Sequence, residues 1–355
     1  MRHASLRRQR FLALLALFAT LAAPLFSRAN AAEYRASSYV FGTVAEIIVI
    51  DNDLARARGT VELILREFDR MHRDLHAWKP GELVTLNQAI THGQKNIRTT
   101  TEIAMLIRKA QQLAAQSGEL FNPAIGRLVS LWNFHRDEPG GPVPEARAIA
   151  QIIGARPRMS DLKAQGDTVT SSNSAVQLDF GGYAKGYALD RAADILRANG
   201  VNNALINVGG NIMALGLHSE RPWRVGIESP RREGLMATIE LNDGEAIGTS
   251  GDYRRYYEID GKRYAHIIDP RTGYPVPEVQ SVTVLVPRQA GAGALSDAAS
   301  KPIFIEGLKG WRDAATRMGI SCAMLIDFEG AVHITHDLEA RLRFNDRRLA
   351  SDVVQ

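Results

Sequence analysis

Hydrophobic positions along the first third of the chain alternate first at the spacing of a strand and then at the spacing of helices. Residues 39–50 predict a β-strand that Gly42-Thr43 interrupts early. Apolar residues from Leu54 to Leu75 follow at helical spacing, behind an aspartate that could cap the helix. A Thr-x-x-Glu capping box at Thr99–Glu102 predicts another helix, which Gly118 stops. This region therefore reads as a strand followed by amphipathic helices.

Beyond residue 200 the pattern changes to short strands with few helices between them. The predicted strands cover residues 223–228, 237–241, 256–260, 281–286 and 323–327, and residues 310–318 predict a helix. Strands and helices do not alternate regularly. The pattern favours an α+β fold over a doubly wound parallel sheet.

The stretch from Gln177 to Gly216 carries the densest set of signals. It predicts a strand reaching Asp179, a Gly181-Gly182 turn, a helix with Lys185 in its first turn, and a glycine-rich strand end at residues 207–211. Backbone amides at a helix N-terminus, beside an ammonium, suit a ligand that carries phosphate. We expect a dinucleotide to bind against this turn.

Four further segments concentrate polar residues beside glycines or prolines. Each could equally be an ordinary turn, because Thr-Ser-Gly-Asp and Asp-Pro-Arg-Thr-Gly are good turn sequences. Taken singly, none of these segments specifies a function. They are residues 78–82, 121–123, 247–275 and 296–301.

Composition narrows the function classes. The chain has 355 residues and a formal net charge of +4, with ordinary globular proportions of apolar and charged residues. The first 31 residues hold five arginines and no acid, so the remainder has a net charge of −1, which gives nucleic-acid binding no electrostatic support. Cys322 is the only cysteine, which excludes an intrachain disulfide and fits a small buried side chain.

Residues 1–31 have the pattern of a cleaved export signal. A basic start precedes an apolar run too short to span a bilayer, and Ala29-Asn30-Ala31 matches a small-x-small cleavage site. Arg7-Arg8 loosely resembles a twin-arginine signal, so both export routes stay open. We expect an exported, periplasmic protein that is neither lipid-anchored nor an integral membrane protein.

His72 and His76 lie four residues apart at the end of the first predicted helix, a spacing at which two histidines can bind zinc. Position 73 is arginine rather than the glutamate of a zinc protease motif. Packed or solvated histidines are the simpler interpretation.

Four ordered sequence blocks resemble the signatures of the ApbE-type flavin transferases, the FAD:protein FMN transferases. The resemblance runs roughly from Tyr39 to Leu338, which leaves residues 339–355 as a loose tail. The blocks are Leu178–Asp190 (LDFGGYAKGYALD), Asn207–Gly210 (NVGG), Thr249–Tyr253 (TSGDY) and His266–Gly273 (HIIDPRTG).

The resemblance implies a fold with mixed or antiparallel sheets and packed helices, and an exported, Mg²⁺-dependent enzyme. Such an enzyme cleaves FAD, attaches FMN through a phosphoester to a threonine or serine of another protein, and releases AMP. The implied acceptor is an exported or membrane-anchored redox protein. Positioning and charge stabilisation can carry most of such a transfer.

The resemblance also assigns roles to single residues. The Gly182 carbonyl and Asp297 fall where the family binds its metal, and His266 is the candidate for deprotonating the acceptor hydroxyl. Trp78 takes the place of an aromatic that stacks on the isoalloxazine. The residues at FAD-contact positions are Phe41, Trp78, Leu120, Phe121, Asn122, Asp179, Lys185 and Ile268.

The sequence departs from the family pattern at the metal. Lys301 stands where a threonine is usual, and an ammonium cannot coordinate a cation. Asn122, Gly81 and Asn211 each replace a residue that is acidic or carries a hydroxyl in the pattern. Lys301 therefore becomes a catalytic candidate that supplies part of the metal's charge. Two alternatives remain open: a flavin carrier that leaves FAD intact, and a pyrophosphatase that splits FAD into FMN and AMP.

Overall fold

A nine-stranded sheet forms the centre of the fold. The computed structural model describes residues 32–345 and 353–354. The strands are β1 (Ala32–Val40), β2 (Thr43–Asp51), β3 (Ile97–Arg98), β4 (Leu162–Gln165), β5 (Thr168–Ser171), β6 (Ala204–Val208), β7 (Asn211–Leu215), β8 (Trp223–Glu228), β9 (Leu235–Leu241), β10 (Ala246–Gly251), β11 (Tyr256–Ile259), β12 (Lys262–Ala265), β13 (Val279–Val286), β14 (Cys322–Asp327), β15 (Val332–Ile334), β16 (Leu342–Phe344) and β17 (Val353–Val354).

Helices pack on this sheet and around its ends. They are α1 (Leu54–Asp74), α2 (Glu82–Thr91), α3 (Thr101–Gln116), α4 (Gly126–Leu131), α5 (Ala146–Gly154), α6 (Ala184–Ala198), α7 (Ala292–Arg317) and α8 (His336–Glu339), with a 3-10 turn at Met159–Asp161.

The sheet is antiparallel through most of its width. Its strand order is β1-β2-β6-β7-β10-β13-β14-β15-β17, and only the β15–β17 pair is parallel. Three small sheets, β16-β9-β8, β11-β12 and β3-β5-β4, lie outside it. This topology confirms the α+β fold class predicted from the sequence.

The two faces of the sheet carry different layers. In β2, Ile47 and Val49 join the core beneath α1, α6 and α7, whereas Ile48 and Ile50 join the core shared with β8 and β9. Because neighbouring strand residues point to opposite faces, a strand covered on both sides is apolar throughout. β13 is covered on both sides, since all eight of its residues are buried, and it is mostly apolar apart from Gln280, Ser281 and Thr283.

Helix α1 follows the sequence prediction. Asp53 caps it by accepting a hydrogen bond from the Arg56 amide at 3.0 Å. Its predicted apolar stripe is buried against the sheet, which places the C-terminal end of α1 beside the site described below. The buried members of this stripe are Ala57, Val61, Ile64, Phe68 and Met71.

Helices α6 and α7 cross with their N-terminal ends in backbone contact. A Cβ on Gly186 would lie far inside contact distance of the Gly293 carbonyl oxygen and 2.7 Å from the Asp297 Cβ, so only glycine fits. Each helix also caps the other: Asp190 accepts from the amides of Gly293 at 2.8 Å and Ala294 at 2.9 Å, and Asp297 accepts from Gly186 at 3.0 Å. The crossing therefore fixes both helix ends relative to each other.

Two sequence predictions in the N-terminal half were wrong in detail. The capping box at Thr99–Glu102 does not form, because Thr100 caps α3 and Glu102 binds Arg70 and Tyr187 instead. The strand predicted to reach Asp179 is irregular chain. The Asn87 side chain pairs with both backbone groups of Leu178, at 2.9 Å and 2.8 Å, and takes the place of a neighbouring strand.

Two predicted loops contain helix. Residues 78–82 run into α2, which the sequence reading missed, and residues 296–301 lie in the first half of α7 rather than in a loop. Pro302 and the non-helical Gly307, at φ 57°, obscure α7 in the sequence. Only its second half was predicted.

The predictions for the two ends of the chain have different outcomes. The predicted export signal at residues 1–31 lies outside the described residues. The segment predicted as a loose tail, residues 339–355, contains β16, which pairs with β9, and β17, which pairs with β15. Among residues 32–345, no helix has both the length and the apolar character needed to cross a bilayer.

Candidate active site

Asp297 and Lys301 lie one turn apart on α7, and the crossing of α6 and α7 places them beside the Gly181-Gly182 turn. The Lys301 ammonium hydrogen-bonds to Asp297 Oδ1 and, at 2.7 Å, to the Asp297 carbonyl oxygen. A Cβ on Gly182 would lie 3.5 Å from Lys301 Cε, so the lysine side chain packs along the turn. The sequence-predicted metal residues, Gly182 and Asp297, are therefore adjacent to the same ammonium.

The charges at this crossing support one another. Burial by itself would raise the pKa of the Asp297 carboxyl, but the charges of Lys185 and Lys301 outweigh it and hold the pKa below its usual value. Burial lowers the pKa of the Lys301 ammonium, and the contact with Asp297 opposes that shift. The two side chains form a close ion pair in which Lys301 is 14% exposed and Asp297 is 1% exposed.

The residues at the predicted metal position do not fit Mg²⁺. Magnesium takes six oxygen ligands in an octahedron, but one Asp297 oxygen is bound to Lys301 and the other to the Gly186 amide. Two unit charges 4 Å apart near a protein surface interact by about 4 kcal/mol, and a divalent ion roughly doubles this repulsion from an ammonium. Residues 32–345 also contain no cluster of three or more His, Cys, Asp or Glu side chains able to hold a metal.

Two backbone amides at or near the glycine turn are already hydrogen-bonded within the chain. The Gly181 amide donates to Asp179 Oδ1 at 2.8 Å, and the Gly186 amide donates to Asp297. These two amides are therefore not available to a phosphate, whereas the Gly182 amide makes no hydrogen bond within residues 32–345. The positive charge of Lys185 and Lys301 is the stronger feature of this corner for binding an anion.

His266 follows β12 and faces this cluster. Its Nδ1 lies 3.1 Å from the Arg255 carbonyl oxygen, which fixes the proton on Nδ1. Within residues 32–345, Nε2 has no hydrogen-bond partner. The geometry thus leaves Nε2 as a proton acceptor directed away from Arg255.

The electrostatic surroundings keep this imidazole neutral. Burial and then the positive charges of Lys185, Lys301 and Arg255 lower the pKa of His266 to about 3. A neutral imidazole can accept a proton, whereas an imidazolium cannot. The sequence-predicted base and the two lysines therefore form one electrostatic unit.

A second group of side chains lies around Trp78. The Trp78 indole lies beside the Asp179 carboxyl. Burial raises the pKa of this carboxyl, and the Gly181 amide, Trp78 and Arg255 oppose that shift. The His135 ring lies 5.0 Å from the Trp78 ring, centroid to centroid, at 45°. The His135 Nδ1 atom is buried and unpartnered among the described residues. Trp78 is half-buried and could present an aromatic face to a ligand.

Sequence reasoning missed Arg255, which connects the two groups. Its charge acts on both Asp179 and His266, and its guanidinium donates to the Arg136 carbonyl oxygen. Its Nε is buried without a partner within the described chain. Arg255 follows the TSGDY block by two residues in a segment without a motif, so only the fold reveals it.

The side chains of the other predicted FAD contacts are packed or hydrogen-bonded within the protein. The side chains of Leu120, Phe121 and Ile268 are buried in the cores, at 4%, 4% and 5% exposure. The Asn122 amide group is engaged within the chain, since it donates to Pro157 O at 2.9 Å and accepts from Ala124 N at 3.1 Å. Any ligand contact from these residues would come from main-chain atoms.

Phe41 lies at the tip of the β1–β2 hairpin, close to His72 near the end of α1 and to His76 just beyond that helix. Its ring centroid lies 5.8 Å from that of His72, which in turn lies 5.3 Å from that of His76. The His76 Nδ1 accepts hydrogen bonds from the amides of Trp78 and Lys79, both at 3.0 Å. His76 therefore positions the Trp78 turn through its backbone.

Taken together, the site joins a pair of lysines, a neutral histidine and a half-buried indole. The lysines and Arg255 suit a ligand with phosphate groups, and the indole suits a planar ring system. The free imidazole nitrogen of His266, close to these cations, can remove a proton from an incoming hydroxyl. The arrangement fits group transfer from a phosphate-bearing aromatic ligand.

Comparisons with known proteins agree with this interpretation of the site. Residues 41–324 match the model of the ApbE family. A FAD:protein FMN transferase of Rhodobacter capsulatus is 42% identical over 304 residues, which are 86% of this chain and 57% of that protein. One of Treponema pallidum (strain Nichols) is 31% identical over 340 residues, covering 91% of this chain and 87% of the relative.

Solved structures also share the fold. The ApbE protein of Thermotoga maritima has a TM-score of 0.78 at 29% identity and covers 88% of this chain and 100% of its own. The apo flavinyl transferase ApbE of Pseudomonas stutzeri has a TM-score of 0.73 at 27% identity, with 88% and 97% covered.

Proposed function

The chain belongs to the ApbE family, and on this premise we propose that it is a FAD:protein FMN transferase. It binds FAD, moves FMN to a threonine or serine hydroxyl of another protein, and releases AMP. The relatives' names support a protein acceptor, and the site supports a substrate with phosphates and a planar ring.

The proposed step is an in-line substitution at phosphorus. The acceptor hydroxyl oxygen attacks the phosphorus on the FMN side of the FAD pyrophosphate, and the bond from this phosphorus to the bridging oxygen breaks. AMP leaves with that oxygen and its electron pair. The hydroxyl proton passes to His266 Nε2. Such transfers depend chiefly on positioning and charge stabilisation.

The remaining side chains bind and orient the substrate in this proposal. Lys185, Lys301 and Arg255 offset the pyrophosphate charge, and Trp78 stacks on the isoalloxazine, held by Asp179 and by the backbone contacts of His76. Because Asp297 and Gly182 already hold the Lys301 side chain, no step is assigned to Mg²⁺.

We place the activity outside the cytoplasm, on the pattern of residues 1–31, which predicts a cleaved export signal. The acceptor is then an exported or membrane-anchored redox protein. Its recognition sequence lies in that other chain.

The observation that carries the proposal is the neutral His266, with a free Nε2, among Lys185, Lys301 and Arg255. The test incubates purified mature chain and FAD with membrane and periplasmic fractions of cells lacking the gene. We expect flavin fluorescence on a protein band in a denaturing gel, and AMP in equal amount. AMP without labelled protein would favour a pyrophosphatase. The absence of both AMP and labelled protein would favour a flavin carrier.

Replacing Trp78 with alanine should weaken FAD binding. Stacking of a base on an aromatic side chain contributes about 1–3 kcal/mol, so we expect a Kd roughly 5- to 150-fold higher, measured by quenching of flavin fluorescence. Trp78→Phe should recover part of the loss because it restores a ring. An unchanged Kd in Trp78→Ala would remove this residue from the flavin site.

The pH dependence should differ between the free enzyme and the FAD complex. The pKa of His266 is about 3 with the site empty, because burial and three cations disfavour the imidazolium. A bound pyrophosphate offsets those cations and raises the pKa. The acidic limb of kcat should therefore lie at higher pH than that of kcat/KM for FAD. Coincident limbs in the two profiles would contradict this role of the phosphates.

A further inference from the structure

We propose that the Lys301 ammonium is the resident cation of this site, so that the chain binds FAD and transfers FMN without a divalent metal ion. The transfer half of this inference rests on the proposed function, whereas the FAD-binding half can be tested without it.

The first support is the position of the ammonium. Lys301 lies one helical turn after Asp297 on α7, and its Nζ contacts both Asp297 Oδ1 and the Asp297 carbonyl oxygen. Its Cε packs along Gly182. These are the two residues at which the family resemblance places the metal. The lysine therefore fills the space between them with its own charge.

The second support is that the neighbouring oxygen ligands are already used. Asp297 Oδ2 accepts from the Gly186 amide, a bond that belongs to the α6–α7 crossing. The Ser300 hydroxyl donates to the Asp297 carbonyl oxygen at 2.7 Å and lies 2.6 Å from the Ser250 hydroxyl. A cation here would have to break these bonds as well as the ion pair. A hard divalent ion needs free oxygens, and this corner offers few.

The third support is the burial of the pair. Asp297 is 1% exposed and Lys301 is 14% exposed, so each charge depends on the other for compensation. Removal of the ammonium would leave a buried carboxylate beside Gly182, which is an attractive ligand for Mg²⁺. We therefore expect that replacing Lys301 with a shorter side chain that carries an oxygen makes the site dependent on a metal ion.

The test compares the parent chain with Lys301→Thr, in EDTA and in millimolar Mg²⁺. FAD affinity is measured by quenching of flavin fluorescence, and Mg²⁺ binding to each FAD complex by calorimetry. We expect the parent's Kd for FAD and its AMP release to be the same in both buffers. In EDTA, the Lys301→Thr variant should bind FAD about 10-fold or more weakly than the parent, because it has lost a charged hydrogen-bond donor. Mg²⁺ should restore the affinity of this variant for FAD.

Lys309→Thr is the matched control, because Lys309 is an exposed lysine of the same helix outside the site. It should behave as the parent in both buffers. The parent's own response to Mg²⁺ needs no variant, so the inference stays testable even where Lys301→Thr folds poorly.

The outcomes separate this inference from the proposed function. A parent chain whose FAD binding or transfer requires Mg²⁺ would overturn the inference and leave the transferase standing. The inference also falls if Lys301→Thr binds FAD as tightly as the parent in EDTA. Metal-independent FAD binding by the parent without AMP release would support the binding half of the inference and overturn the proposed function.

Discussion

His266→Ala should reduce the rate of FMN transfer by about 10²- to 10⁴-fold, which is the usual contribution of a positioned general base. FAD binding should change little, because the phosphate charge is offset by Lys185, Lys301 and Arg255 rather than by a neutral imidazole. The expected signature is therefore a loss in kcat with nearly unchanged Kd for FAD. Single-turnover transfer and fluorescence titration measure the two quantities separately.

Two comparisons make this result specific. His336→Ala changes a histidine that is 86% exposed and should transfer FMN at the parent rate. Added imidazole should partly restore His266→Ala, since the lost side chain leaves a space beside the Arg255 carbonyl oxygen. Transfer at the parent rate by His266→Ala would exclude His266 as the base. A parallel loss of FAD binding would instead assign it a binding role.

Gly186→Ala should both destabilise the fold and impair the site. The added Cβ meets the Gly293 backbone and the Asp297 Cβ, and backbone atoms cannot turn aside as a side chain can. Overpacking costs about 1–3 kcal/mol or more, and at about 3 kcal/mol a domain of this size loses roughly 5 °C in Tm. Separation of α6 from α7 would also move Lys185 away from Lys301. We therefore expect weaker FAD binding as well.

Gly59→Ala is the matched control for that substitution. Gly59 lies within α1, is exposed, and has open space around its missing Cβ. Alanine is the better helix former there, so its Tm should stay the same or rise, by a gain of about 0.5–1 kcal/mol. Calorimetric unfolding of both variants gives the comparison. Equal Tm values for Gly186→Ala and the parent would show that the crossing tolerates a side chain.

Local patterns predicted most of the fold where the contacts are local. The stripe of α1 and the Asp53 cap depend on neighbouring residues, and so does β8, whose bounds match the prediction. Helix α7 was predicted only in its second half, because Pro302 and Gly307 read as a stop and only packing against α6 overrides them. Leu178 was read as strand because its actual partner, the Asn87 side chain, is 91 residues away.

The site was predictable wherever a motif marked it. The ordered blocks contain Asp179, Lys185 and His266, the wider resemblance added Asp297, and the departure from the family pattern identified Lys301. The helix that places Lys301 one turn after Asp297 was not predicted, because the segment was read as a loop. Arg255 and His135 carry no motif, and their roles depend on the approach of distant segments to Asp179.

A crystal structure of the mature chain grown with FAD and Mg²⁺ would show directly which cation lies at the pyrophosphate. We expect the pyrophosphate at the α6–α7 crossing, with its oxygens on Lys185 and Lys301, the isoalloxazine on Trp78, and Lys301 still bound to Asp297. A magnesium ion between Gly182 and Asp297 with the Lys301 side chain turned away, or FAD bound at another place, would contradict this expectation.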